Sequence, residues 1–106
     1  AAAAAFAHAA ETQPSPRVLV LWAMAETMRG DLPAAERLYR RALERDSTRA
    51  IDWQGYGVVS LRLGKLDQAH QAVERLLRLD PDNPQGRSAL GGIERMQAAR
   101  RAAAAR

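Results

Sequence analysis

Apolar positions along this chain recur with a helical period. Ala35, Leu38, Tyr39, Ala42 and Leu43 follow the i, i+3, i+4, i+7 spacing that gathers side chains on one face of a helix, with polar residues between them. Ala69, Ala72, Val73, Leu76 and Leu77 repeat the stripe. The spacing predicts amphipathic helices from Pro33 to Arg45 and from Asp67 to Leu79. The segment before each stripe is more uniformly apolar, as in Val18 to Ala25, and reads as a helix with more than one face to bury. Ser15-Pro16 and Asn83-Pro84 each place a capping residue before a proline, the signature of a helix start. Ser47 or Thr48 is expected to cap the helix between them. Gly30 and Gly64 are expected to end these first helices in the left-handed conformation. Asp80-Pro81-Asp82-Asn83-Pro84 is a strong breaker. Nothing alternates as a strand would.

The elements repeat. A shift of 34 residues aligns Gly30 with Gly64, Leu32 with Leu66, Ala35 with Ala69, Leu43 with Leu77 and Asp46 with Asp80. A second shift puts Trp22, Tyr56 and Leu90 in one column and Ala23, Gly57 and Gly91 in the next. A large side chain followed at once by a small one therefore recurs with the period. The fold class this implies is all-α, a superhelix of stacked helical hairpins. Residues 1–14 read as the second helix of a preceding unit, because Ala2, Phe6, Ala9 and Pro14 have its spacing at an offset of 33. Residues 15–47 form a first unit and 48–82 a second. Residues 83–106 form the first helix of a third unit or a C-terminal capping helix, since Gln97-Ala98-Ala99 stands where the turn glycine belongs. Six helices are expected, in a right-handed superhelical segment.

The sequence Trp53-Gln54-Gly55-Tyr56-Gly57, followed by Gly64, Ala69, Val73 and Pro81, resembles the tetratricopeptide repeat family. The resemblance runs from Ser15 to Met96. Leu19 and Ser47 depart from it, where the family favours tryptophan and proline. The resemblance implies a solenoid that binds a segment of another protein, without cofactor, metal or catalysis. Some family members hold a C-terminal carboxylate with Lys, Arg and Asn on the groove floor. Here those places carry Val20, Met24, Gln54, Val58 and Ser88, and only Arg95, with Arg17 near one edge, could serve an anion, so a clamp of that kind is rejected. Bacterial relatives include periplasmic scaffolds of exopolysaccharide (cellulose) export and pilus or type III secretion accessories.

A binding surface follows from apolar residues that packing within a unit does not need. Leu19, Trp22 and Ala23 carry the repeat columns, which leaves Val20, Met24 and Thr27 as a second stripe. The 34-residue shift carries it to Gln54, Val58 and Leu61, then to Ser88, Gly92 and Arg95. In stacked hairpins the first helices line the concave side. These nine residues are the candidate groove, suited to an amphipathic helix or an extended apolar peptide. The competing reading is that some of them only pack between neighbouring first helices.

Charge changes this picture little. The net charge is +4, and of sixteen basic residues only Lys65 is a lysine. Together with abundant alanine, this reads as the codon bias of a GC-rich, bacterial genome. Arg37, Arg40, Arg41 and Arg45 are interleaved with Glu36 and Glu44 and read as a solvated outer face, with an acidic partner as the alternative. RNA binding by a helical repeat is a second class of function, disfavoured because the groove offers few base-reading groups. A third is the non-catalytic arm of a larger enzyme. Open repeat ends also allow self-association. Without cysteine there is no thiolate chemistry, and the compartment, periplasm or cytoplasm, stays open. No apolar run is long enough to span a bilayer. His8 and His70 lie in different second helices with no acidic or cysteine partner at ligand spacing, so both read as surface or packing residues. Ser60 has no nearby base, and Gly55, Gly57, Gly91 and Gly92 fall within helices, where close helix approach explains them better than phosphate binding. No catalytic, metal or cofactor site is expected.

Overall fold

The computed structural model describes residues 15–106. Over these residues five helices follow one another and no strand occurs: α1 (Pro16–Arg29), α2 (Leu32–Arg45), α3 (Ala50–Arg62), α4 (Leu66–Leu79) and α5 (Pro84–Ala104). The half unit expected at 1–14, and with it the sixth helix, lies outside the described residues. The pairs α1/α2 and α3/α4 pack most extensively, and α2 against α3 and α4 against α5 join them in chain order. A stack with dimensions of 50 × 29 × 19 Å results, as expected when each repeat packs on its neighbours.

Most helix ends form where the turn chemistry places them. The Ser15 hydroxyl accepts the Val18 amide at 3.1 Å, and Asn83 Oδ1 accepts that of Gly86 at 2.8 Å. Gly30 and Gly64 adopt φ of 89° and 77°, which a side chain would strain. The second helices start one residue earlier than the stripes indicate, with Asp31 capping α2 through the Ala34 amide at 3.2 Å. The start of α3 departs from expectation. Neither Ser47 nor Thr48 caps it; Arg49 occupies the cap position and makes no side-chain bond there. The reason is local competition. Asp46 accepts both the amide and the hydroxyl of Thr48, at 3.0 and 2.5 Å, and the Ser47 carbonyl accepts the Trp53 indole N–H at 2.9 Å. The Thr48 hydroxyl is thereby taken before α3 begins, and Ser47 is tied to α3 through its carbonyl.

The two predicted stripes are buried, except that Leu77 is half-buried. They close on Leu19, Ala23, Tyr56 and Val59 of the first helices. Both tryptophans are only half-buried: Trp53 rests its ring against Tyr56, edge to face, at 6.2 Å between centroids. The close helix approach expected of the glycines is tightest at Gly55. A Cβ there would lie 2.5 Å from the Tyr39 hydroxyl oxygen and 2.6 Å from its ring, so any side chain at 55 requires the end of the Tyr39 ring to move. At Gly57 a Cβ would make ordinary contacts, 3.5 Å from Ala72 and 3.7 Å from Val73.

Polar groups seal the junction between the hairpins. Glu36, on α2, is buried, and both its carboxylate oxygens accept from Lys65 Nζ, at 2.9 and 2.8 Å. Gln68 Nε2 donates to Glu36 at 2.6 Å and to the Ser60 hydroxyl at 2.9 Å, while Gln68 Oε1 accepts from Arg40 at 2.9 Å. Arg40 also donates to the Tyr56 hydroxyl at 3.3 Å. Burial pushes the Glu36 carboxyl up, but the bonds from Lys65 and Gln68 and the charges of Lys65 and Arg40 outweigh it and hold it below its ordinary range.

Candidate functional site

The face of α3 opposite this polar junction carries Gln54, Val58 and Leu61 at i, i+4 and i+7, which share one side of a helix. Val58 stands 48% exposed between two apolar hollows, and Gln54 also borders both. The first, of about 230 Å³, opens between α1, α2 and α3 and is walled by Val20, Met24, Thr27, Tyr39 and Ile51. The second, of about 200 Å³, lies between α3, α4 and α5; Leu61, Leu76 and Ile93 form its floor and side, with Gln85 and Ala89 opposite. Their polar groups are neutral ones: Thr27, whose hydroxyl already donates to the Ala23 carbonyl at 2.8 Å, Tyr39, Gln54 and Gln85. Burial pushes the Tyr39 hydroxyl further above its ordinary value, and the negative charge of Asp52 adds to this.

Of the nine residues expected in the groove, six come together around these hollows: Val20, Met24, Thr27, Gln54, Val58 and Leu61. Val20 is buried, packed in the cluster that holds Tyr39 and Val59, and forms floor of the first hollow. Met24, by contrast, is 48% exposed. Ser88, Gly92 and Arg95 line neither hollow. Ile93 is the one large apolar side chain that α5 buries, and seating it against Ala69 and Val73 turns Gln85 and Ala89 over the second hollow. Ser88 and Arg95 are left exposed. The residues that sequence reasoning missed are Ile51 and Gln85. Both were legible, since each sits one turn before a groove position and they are related by the same 34-residue shift.

One expectation about titratable groups also changes. His70 does have acidic neighbours: its Nδ1 lies 3.1 Å from Glu74 and its Nε2 3.7 Å from Glu94. Glu74 is simply one helical turn along, and Glu94 arrives on α5 in the column that holds Ser60. Among the described residues no group of three or more His, Cys, Asp or Glu side chains could hold a metal ion, and no helix is long and apolar enough to cross a membrane.

Residues 26–93 match the family model described as tetratricopeptide repeat. The chain belongs to the tetratricopeptide repeat family. Among curated proteins it is 41% identical over 70 residues to the CTR9 homolog of Arabidopsis thaliana, a match covering 65% of this chain. The same match covers 6% of that relative's length. Among solved structures it resembles the first tetratricopeptide domain of Spaghetti (RPAP3) bound to the HSP90 peptide SRMEEVD, with a TM-score of 0.81 and 22% identity, over 91% of this chain and 79% of that one. It also resembles the second tetratricopeptide domain of human RPAP3 in complex with the HSP70 peptide SGPTIEEVD, with a TM-score of 0.80 and 24% identity, over 87% and 78% of the two chains. At these identities the likeness to the solved structures speaks for the fold.

Proposed function

We propose that this tetratricopeptide repeat segment is a non-catalytic scaffold that binds a neutral, apolar segment of another protein across α1, α3 and α5. The observation that carries the reading is the pair of apolar hollows on either side of exposed Val58. Neighbouring helices pack at about 8–10 Å, so two hollows one helix apart suit two large apolar side chains of a single peptide. Such side chains sit about 9–10 Å apart on one side at i and i+3 of a polyproline-II segment, or at i and i+7 of a helix. Gln54, between the hollows, offers both a donor and an acceptor to a main chain passing over it. The structural neighbours bind peptides ending in acidic residues and support peptide capture as the mode. The neutral lining here argues for a different peptide chemistry. The arginine-for-lysine bias is the ground for a bacterial setting, and resemblance to family members alone is the ground for an envelope or exopolysaccharide-export assembly; the plant relative supports neither.

Peptide display against the immobilised chain tests this. Selected peptides should carry paired large apolar residues and no acidic terminus, and SRMEEVD itself should bind weakly. The double variant Met24→Glu, Val58→Glu should keep its melting temperature and lose the selected peptides, because an unpaired charge at an apolar contact costs several kcal/mol, against about 8 kcal/mol for a micromolar complex. Unfolding of the variant would make both residues core. Retention of every peptide would move the site elsewhere.

A further inference from the structure

The side of α3 turned away from Gln54 and Val58 opens onto a second kind of surface. In the first hairpin, Trp22 of α1 and Arg37, Leu38 and Arg41 of α2 line a crevice of about 220 Å³. In the second, Trp53 and Tyr56 of α3 and Arg75 and Arg78 of α4 line one of about 400 Å³. These are the same place in successive repeats, because the 34-residue shift carries Trp22 to Tyr56, Leu38 to Ala72 and Arg41 to Arg75. Each crevice therefore pairs aromatic surface with exposed arginines. Among the described residues, none of Arg37, Arg41, Arg75 and Arg78 has a carboxylate within 4.0 Å. Glu36 is taken by Lys65, and Glu74, which also lines the second crevice, lies against His70 and not within 4.0 Å of either arginine. Glu44 is the remaining exposed carboxylate of α2.

We propose that this outer face is a second docking surface, and that its partner is an acidic protein segment whose carboxylates bridge the crevices of consecutive repeats. Charge complementarity comes first: four guanidinium groups on α2 and α4 have no carboxylate within 4.0 Å. The role of the aromatic rings comes second. Arg75 lies over the Trp53 ring, its Cζ 5.4 Å from the centroid, Tyr56 meets that ring edge-on, and the indole N–H is spent on Ser47. The ring is covered, so it is a poor platform for a nucleobase. It restrains Arg75 instead, and a guanidinium held against an indole keeps its in-plane donors free for a carboxylate fork. That arrangement favours Asp and Glu side chains over single-stranded RNA, which would need open aromatic faces.

The test uses the described chain, a fluorescently labelled polyglutamate peptide, and oligouridylate as competitor. Polyglutamate should bind with an affinity that falls as salt rises. Arg41→Gln with Arg75→Gln should weaken it roughly five- to tenfold. Arg87→Gln with Arg101→Gln removes the same charge from α5 and should have little effect. The groove variant Met24→Glu, Val58→Glu should still bind. Equal loss in the two arginine pairs would reduce the effect to net charge and overturn the proposal, as would stronger binding of oligouridylate than of polyglutamate. If the glutamine pair lowers the melting temperature, Arg41→Lys with Arg75→Lys is read instead. It keeps every charge but not the planar fork, so undiminished binding would overturn the proposal.

Discussion

Lys65 Nζ sits 2.8 and 2.9 Å from the two carboxylate oxygens of Glu36, and this is the only lysine of the chain on a carboxylate buried 29 residues earlier. The pair ties the turn after α3 to the face of α2, so it joins one hairpin to the next. Removing Lys65 leaves the carboxylate with Gln68 and a distant Arg40. Lys65→Ala should cost about 1–3 kcal/mol at pH 7, measured by urea unfolding. The sign of the pH dependence follows from the lowered Glu36 carboxyl. Its contribution is present above the ordinary value of 4.5 and is lost as pH falls through the lower folded value. Wild type and variant should therefore converge once pH falls below that lowered folded value, and a gap that stays constant there would mean the loss is packing, not charge.

Gly55 and Tyr39 form a volume pair. Gly55→Ala puts a methyl into the Tyr39 ring and should cost about 1–3 kcal/mol. The next junction holds Val73 and Ala89 in the same two columns, packed in one cluster. Tyr39→Val combined with Gly55→Ala should therefore recover part of the loss, and a double-mutant cycle measures the coupling. Strict additivity would show that the two residues do not share this space.

Asp52 is an acid in an apolar place. Both its oxygens are buried without a hydrogen-bond partner, and burial pushes its carboxyl up, with Asp46 adding and Arg49 and Arg17 opposing. A raised folded value means the ionised group costs stability. The cost is absent below the ordinary 3.8 and grows as pH rises through the folded value. Asp52→Asn should stabilise by about 1 kcal/mol at pH 7, with the gain vanishing at acid pH. Thermal melts at pH 7 and pH 3 decide it, and a loss at pH 7 would show that the charge is satisfied through the N-terminus of α3.

Trp53 carries the family motif yet is only half-buried, so the full 3–5 kcal/mol of a buried tryptophan is not expected. Trp53→Ala should cost about 1–3 kcal/mol, from the partial burial and the indole bond to Ser47. Gly57→Leu should cost a similar amount by crowding Ala72 and Val73, while Gly57→Ala fits. Near-wild-type melting of both Trp53→Ala and Gly57→Leu would mean that the inner face of α3 is assigned wrongly.

Periodicity by itself determined the helices and the faces they bury. Ala35, Leu38 and Tyr39 recur as Ala69, Ala72 and Val73, and a residue's position in such a stripe states its distance from the core whatever lies beyond it. The turn residues did the same for helix ends wherever their bonding is local, as at Ser15, Asn83, Gly30 and Gly64. What only the tertiary structure decided is where one helix meets another. Val20 and Met24 sit one turn apart on α1 and look equivalent along the chain, yet Val20 is floor and Met24 is rim, because α2 and α3 close over one and stop short of the other. Ser88 and Arg95 satisfy the repeat but line neither hollow, while Gln85, Ala89 and Ile93 of α5 line the second. The Glu36–Lys65 pair was invisible along the chain, and the outward arginines were legible there without the aromatic rings they meet. Contacts between residues some 30 positions apart depend on how closely two helix axes approach, and that distance is set by the side-chain volumes packed between them.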